Sequence, residues 1–109
     1  MNDQSPVMTN GAAPGTGGRE IPLSQARLGQ RGVIARVHAR PDVTHHGLAA
    51  DELERRLLEL GFVEGAAVEV IHEGLIGGDP MAVRLDDMRV ALRRRDAAEV
   101  TIRLDEAAR

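Results

Sequence analysis

What most limits this chain is how quickly its apolar residues alternate and then stop. Val68 and Val70 flank Glu69. Met81, Val83 and Leu85 flank Ala82 and Arg84, and Met88, Val90 and Leu92 repeat the pattern. Val100, Ile102 and Leu104 close the series. A period of two puts each set on one face of a strand, which predicts Met88, Val90 and Leu92 facing inward with the others. Between the runs, "HEGLIGGDP" reads as a glycine-rich hairpin connection or bulged loop, and "DD" as a two-residue turn. "RRRDAAE" has room for one helical turn. Earlier, in "GVIARVHAR", Val33, Ala35 and Val37 alternate with Ile34, Arg36 and His38, a half-buried strand. About five short strands with turns between them suit a small barrel.

One segment breaks the alternation. In "DELERRLLELG", Leu53, Leu57 and Leu60 fall on one helical stripe. Asp51 is placed to cap its start, with Glu54 three residues on. Gly61 sits where a helix ends in a left-handed residue, and Phe62 can fold back on Leu57. Gly65 then supplies a second positive-φ position before the next strand. Upstream, "IPLSQARLGQRG" predicts a one-turn helix capped by Ser24. The expected fold class is α+β, mostly β with one main helix. An SH3-like barrel of about five strands, with the helix inserted after the first, fits that count.

Composition narrows the chemistry. The 109 residues suffice for one domain, and there is no cysteine. Thiolate metal sites, a cysteine nucleophile and disulfides are excluded. Phe62 is the only aromatic residue, so base-stacking platforms and aromatic grooves for polyproline are absent. The basic residues are all arginine, a coding bias of the kind GC-rich genomes give, and no lysine is available for a Schiff base or a P-loop. The formal net charge of −3 disfavours nucleic acid as a partner. No stretch approaches the roughly 20 apolar residues that span a bilayer. The opening "MNDQSPVMTNGAAPGTGGRE" lacks the apolar core of a signal peptide, so a soluble cytoplasmic protein is expected. Residues 1–20 are expected to be a disordered tail, 21–104 the folded domain and 105–109 a short C-terminal tail.

Taken in order, "LLELGFVEGAAVEVI", "GGDPMAVRL" and "MRVALRRRDAAEVTI" resemble the FeoA family, small cytosolic proteins associated with bacterial ferrous iron uptake. The resemblance runs from about Leu23 to Leu104. It is carried by Leu60-Gly61-Phe62 with Gly65 and Val68, by Gly78-Asp79-Pro80, and by Ala91-Leu92-Arg93. It implies an SH3-like barrel that binds and regulates FeoB, a membrane permease with a cytoplasmic G-protein region. A related barrel ends iron-dependent repressors. This chain has no room for their DNA-binding domain and would be the stand-alone form. The link "ARPDVTHHGLAAD" is longer than the family's usual one, and the N-terminal extension is additional.

Several residues invite functional readings. "IGGDP" lacks the spacing of a phosphate-binding loop, and Gly78-Asp79-Pro80 reads more simply as a turn. Leu75 and Ile76 either project from the hairpin connection to meet a partner or tuck under the barrel. Leu58, off the helix stripe, either widens the buried face or marks a contact surface. The expected partner surface is therefore Leu58, Leu75, Ile76, Gly78, Asp79 and Pro80. A competing reading gives His45, His46 and Asp42, with Asp51 nearby, to Fe(II) or Zn(II), although adjacent histidines point apart and no third ligand is fixed. No cofactor is otherwise required. His38 and His72 read as structural or exposed, His72 at the barrel's edge. "RRR" at 93–95 reads as a solvated turn. The carboxylates fall at expected surface positions, and no catalytic arrangement emerges. The reading is a non-enzymatic interaction module, with homo-oligomerisation left open.

Overall fold

A computed structural model describes residues 18–40 and 49–105. In chain order these form β1 (Glu20–Pro22), a 3-10 turn (Leu23–Gln25), β2 (Arg31–Val37) and α1 (Ala50–Leu60). Then come β3 (Ala67–Gly74), β4 (Gly78–Leu85), β5 (Met88–Leu92), the one-turn α2 (Arg94–Ala97) and β6 (Val100–Leu104). The strands form one six-stranded sheet in the order β1–β6–β2–β3–β4–β5. Every pairing is antiparallel. The expected α+β class is what the chain adopts. The sheet is not closed by hydrogen bonds, however, and β1 and β5 are its edges.

The strand beyond the expected count is β1. Three residues ending in proline carry no readable period, and proline is tolerated at an edge where its missing N–H is not needed. Ile21 pairs with Ile102 and packs partly against the core. β1 begins at Glu20, one residue inside the stretch assigned to the tail. Ser24 does not cap the turn after it. Pro22 stands at the cap position and makes no side-chain bond, and Ser24 lies inside the turn.

The inward sets hold in β4 and β6, where Met81, Val83, Leu85, Val100, Ile102 and Leu104 are all buried. In β5, Val90 and Leu92 are buried but Met88 is 51% exposed. Met88 shares their face, yet it closes the hairpin opposite Leu85 on the sheet's edge strand, and no further strand covers it. Bulges correct two other parities. In β2 the register shifts between Ile34 and Arg36, so Ile34 is buried and Val37 turns partly inward. In β3 it shifts between Val70 and His72, and His72 is exposed.

α1 lays Leu53 and Leu57 into the core, with Leu60 half-buried. Its N-cap is Ala49, with no side-chain bond, so Asp51 is not the cap. Asp51 sits in the first turn, where its carboxylate accepts the Glu52 N–H at 3.0 Å. An acidic residue there favours the helix's positive end. The C-terminal junction forms as expected. Gly61 adopts φ 111°. Its N–H donates to the Leu58 carbonyl and the Phe62 N–H to the Leu57 carbonyl, both at 3.0 Å. That is the Schellman pattern, completed by contact between residues like Phe62 and Leu57, both fully buried. Gly65 is also left-handed, at φ 90°, and its N–H donates to the Ile34 carbonyl.

Candidate functional site

The β3–β4 hairpin carries an apolar tip. The ladder ends at Gly74 opposite Gly78, and Leu75, Ile76 and Gly77 turn the chain. Gly77 and Gly78 take φ 65° and 78°, and the Asp79 N–H donates to the Ile76 carbonyl at 3.1 Å. The Asp79–Pro80 peptide is cis. Leu75 is 101% exposed and Ile76 85%. They do not tuck under the sheet. The last core-facing residue of β4 before the tip is Met81, so the tip lies beyond the apolar interior.

An arginine holds the base of this tip. The Arg94 guanidinium donates from Nε to the Gly78 carbonyl at 2.9 Å and from Nη1 to the Ser24 carbonyl at 2.6 Å. A longer bond from Nη1 reaches the Ala26 carbonyl at 3.3 Å. Nη2 meets Glu73 Oε2 at 3.1 Å, both side chains being about four-fifths buried. The Arg94 N–H donates to Asp79 Oδ1 at 2.9 Å, joining α2 to the hairpin a second way. Glu73 Oε2 also accepts from the Leu28 N–H at 3.2 Å and from Arg27 Nε at 3.3 Å. One planar cation thus ties the 3-10 segment, the end of β3, the start of β4 and α2. Arginine's fixed fork suits this task, since one group must meet several acceptors in set directions.

These residues line a groove of about 390 Å³ with Ser24, Gly74 and Gly77. Each charged side chain lining it is already paired with another. The groove anchors structure, and the exposed surface above it is apolar.

The expectation of a solvated "RRR" is therefore corrected at its middle residue: Arg93 and Arg95 are exposed, but Arg94 is an internal tie. The surface placement of carboxylates also fails at Glu99, which is 4% exposed. Its carboxylate accepts from the Arg40 N–H at 3.3 Å and from Arg40 Nη2 at 3.4 Å. Neither role carries a sequence signal. Arg94 and Ser24 are 70 residues apart, and no spacing rule connects them.

Leu58 is 43% exposed, so it does not simply widen the buried face of α1. It and the hairpin tip lie on separate elements, and no hydrogen bond or groove joins them among the described residues. His45, His46 and Asp42 lie outside the described residues. Among those described, no group of three or more His, Asp or Glu side chains is placed to hold a metal ion. His38 is exposed. No helix among the described residues is long and apolar enough to cross a membrane.

Residues 21–104 match the model of the FeoA domain. The chain belongs to the FeoA family. This family is associated with ferrous iron transport, and its accessory proteins are not known as enzymes. FeoA of Stenotrophomonas maltophilia, solved in complex with zinc and described as an SH3 domain protein, is 35% identical. The superposition has a TM-score of 0.58 and covers 78% of this chain and 89% of that one. FeoA of Chlorobium tepidum is 31% identical, with a TM-score of 0.58 over 77% and 70% of the two chains. An Fe(2+) transport protein A/Fe(2+) transporter FeoB fusion protein of Porphyromonas gingivalis is 34% identical over 82 residues, which are 75% of this chain. The chain spans only 8% of that relative's length.

Proposed function

We propose that this FeoA-family chain is a non-enzymatic accessory of ferrous iron uptake that binds the cytoplasmic region of a FeoB-type permease. The observation that carries the reading is the Porphyromonas gingivalis fusion, in which a similar segment and a FeoB transporter share one polypeptide. Tethering two modules raises their effective concentration to the millimolar range, which makes a weak contact useful without new interactions. The contact itself has to come from the surface of the FeoA-like segment. The β3–β4 tip suits that role. Leu75 and Ile76 are exposed apolar anchors, and Gly78 and Asp79 at their base are held by Arg94, with Pro80 next in the strand. A pre-ordered tip loses little entropy on docking. Leu58 adds a second exposed apolar position on α1. Binding would act by favouring one state of the permease over another.

Titration of the isotope-labelled chain with the purified cytoplasmic region of the permease tests this. The expected result is saturable shifts around residues 74–80, abolished in Leu75→Asp and reduced in Leu58→Asp. Unchanged binding by both folded variants would overturn the assigned surface, and no binding by the parent chain would overturn the partner.

A second reading is favoured by the zinc complex of the Stenotrophomonas maltophilia relative. Here the chain itself binds Zn(II) or Fe(II) through His45, His46 and Asp42. Calorimetric titration with Zn(II) would then show a site that disappears in the His45→Ala/His46→Ala variant. A site that survives the double substitution lies elsewhere.

A further inference from the structure

The open sheet ends at β5, and among the described residues no further strand pairs with its outer edge. Residues 88–92 pair with β4 through Leu85↔Met88, Val83↔Val90 and Met81↔Leu92, with Arg84↔Arg89 and Ala82↔Ala91 between. On β4, the residue after Leu85 turns its N–H the other way: Asp86 donates to the Ala67 carbonyl at 2.9 Å, beside β3. Strand groups alternate in direction, so Leu85, Val83 and Met81 bond toward β5. Their partners Met88, Val90 and Leu92 bond back. The N–H and C=O groups of Arg89 and Ala91 therefore point away from the sheet. Both residues are exposed, and among the described residues no strand or loop hydrogen-bonds to them.

We propose that two copies of this chain join their β5 strands antiparallel about a two-fold axis through Val90. Side-chain charge selects that register. Centring the axis on Arg89 would set Arg89 opposite its own copy. Centring it on Ala91 would set Arg89 opposite Arg93 of the second copy. Like charges directly opposed across strands are destabilising. A shift by one residue would face outward-pointing groups with inward-pointing ones and break the ladder. The Val90 register avoids all three faults. Arg89 and Ala91 of one copy exchange main-chain bonds with Ala91 and Arg89 of the other. Just beyond the two ends of the strand, Asp87 of the turn comes nearest Arg93 of the other copy, twice, giving two opposite-charge pairs between exposed residues. Met88 falls opposite Leu92, covering the half-exposed methionine that β5 leaves uncovered at the sheet's edge. The other edge does not offer this: β1 has three residues and ends in Pro22, which has no N–H to give.

The test uses the full chain in analytical ultracentrifugation over a concentration series. The expected result is a monomer–dimer equilibrium. Asp87→Arg and Arg93→Asp should each raise the dissociation constant about tenfold or more, because each replaces two attractive pairs with two repulsive ones. The double variant Asp87→Arg/Arg93→Asp should restore it. Ala91→Pro should give a monomer of unchanged fold, since it removes an N–H that points out of the ladder. A monomer at all concentrations overturns the proposal. So does a dimer that the single charge reversals leave unchanged, or one that the double variant fails to restore.

Discussion

At the scale of single residues, the least legible position is the one with the most partners. "RRR" shows three equal letters, and charge patterning treats them alike. Only the folded chain turns the middle one inward, because its acceptors, Ser24, Ala26, Glu73 and Gly78, come from distant segments. Arg94→Met should therefore cost more than a surface change. It keeps the stem's length but leaves the Glu73 carboxylate and several carbonyls without their main donor. Breaking a well-buried pair costs 3–5 kcal/mol, and with these side chains near one-fifth exposed we expect about 2–3 kcal/mol in urea denaturation. Arg94→Lys should recover only part, since an ammonium cannot reach all the acceptors. Wild-type stability in both variants would show the tie to be energetically idle. Gly61 is the opposite case, a residue whose role is plain from local sequence. A side chain there would combine φ 111° with a Cβ 3.2 Å from Leu85 Cδ2. Gly61→Val should lose about 2 kcal/mol, read by the same denaturation.

At the scale of elements, period-two alternation located every strand with three or more inward residues, and the glycine junction located the end of α1. Two kinds of element escaped. β1 is too short to show a period. The bulges in β2 and β3 are invisible because one inserted residue leaves hydrophobicity unchanged while flipping everything after it. The β3–β4 connection was legible as a hairpin, but its turn falls at residues 75–77 and not at Gly78-Asp79-Pro80, which open β4 because Gly78 still pairs with Gly74. The tip's exposure was not legible either, because the same apolar pair would also suit a core. Its energetics can be separated from its recognition role. Leu75 and Ile76 bury almost nothing, so Leu75→Ser/Ile76→Ser should leave stability within about 0.5 kcal/mol. A melting-temperature drop beyond a few degrees would mean that the tip packs against the sheet in solution, and the partner surface would have to be sought elsewhere.

At the scale of the whole molecule, an open sheet must manage both of its edges. β1 guards one of them with very little chain. Its three residues cover β6, and Ile21 adds apolar area to the core. Glu20 accepts from Arg36 at 2.8 and 3.0 Å and from Arg103 at 3.2 Å, linking β1 to β2 and β6 across the outer face. These exposed pairs contribute little to stability singly, so the value of β1 lies in what it hides. Without it, β6 becomes the edge: "VTIRL", a short alternating strand rich in β-branched residues, with unpaired N–H and C=O groups along its length. Removing residues 1–22 should cost about 1–2 kcal/mol from the lost contact of Ile21. The larger effect should be on association. The shortened chain should scatter light on warming well below its unfolding midpoint, while the parent chain stays clear to its own. Adding Ile102→Lys would test only the core, since Ile102 faces inward. Thr101→Lys, on the opposite face of the new edge, should suppress the scattering without restoring the lost stability. If the shortened chain stays clear through its melt, β1 is an ornament of the fold and not its guard.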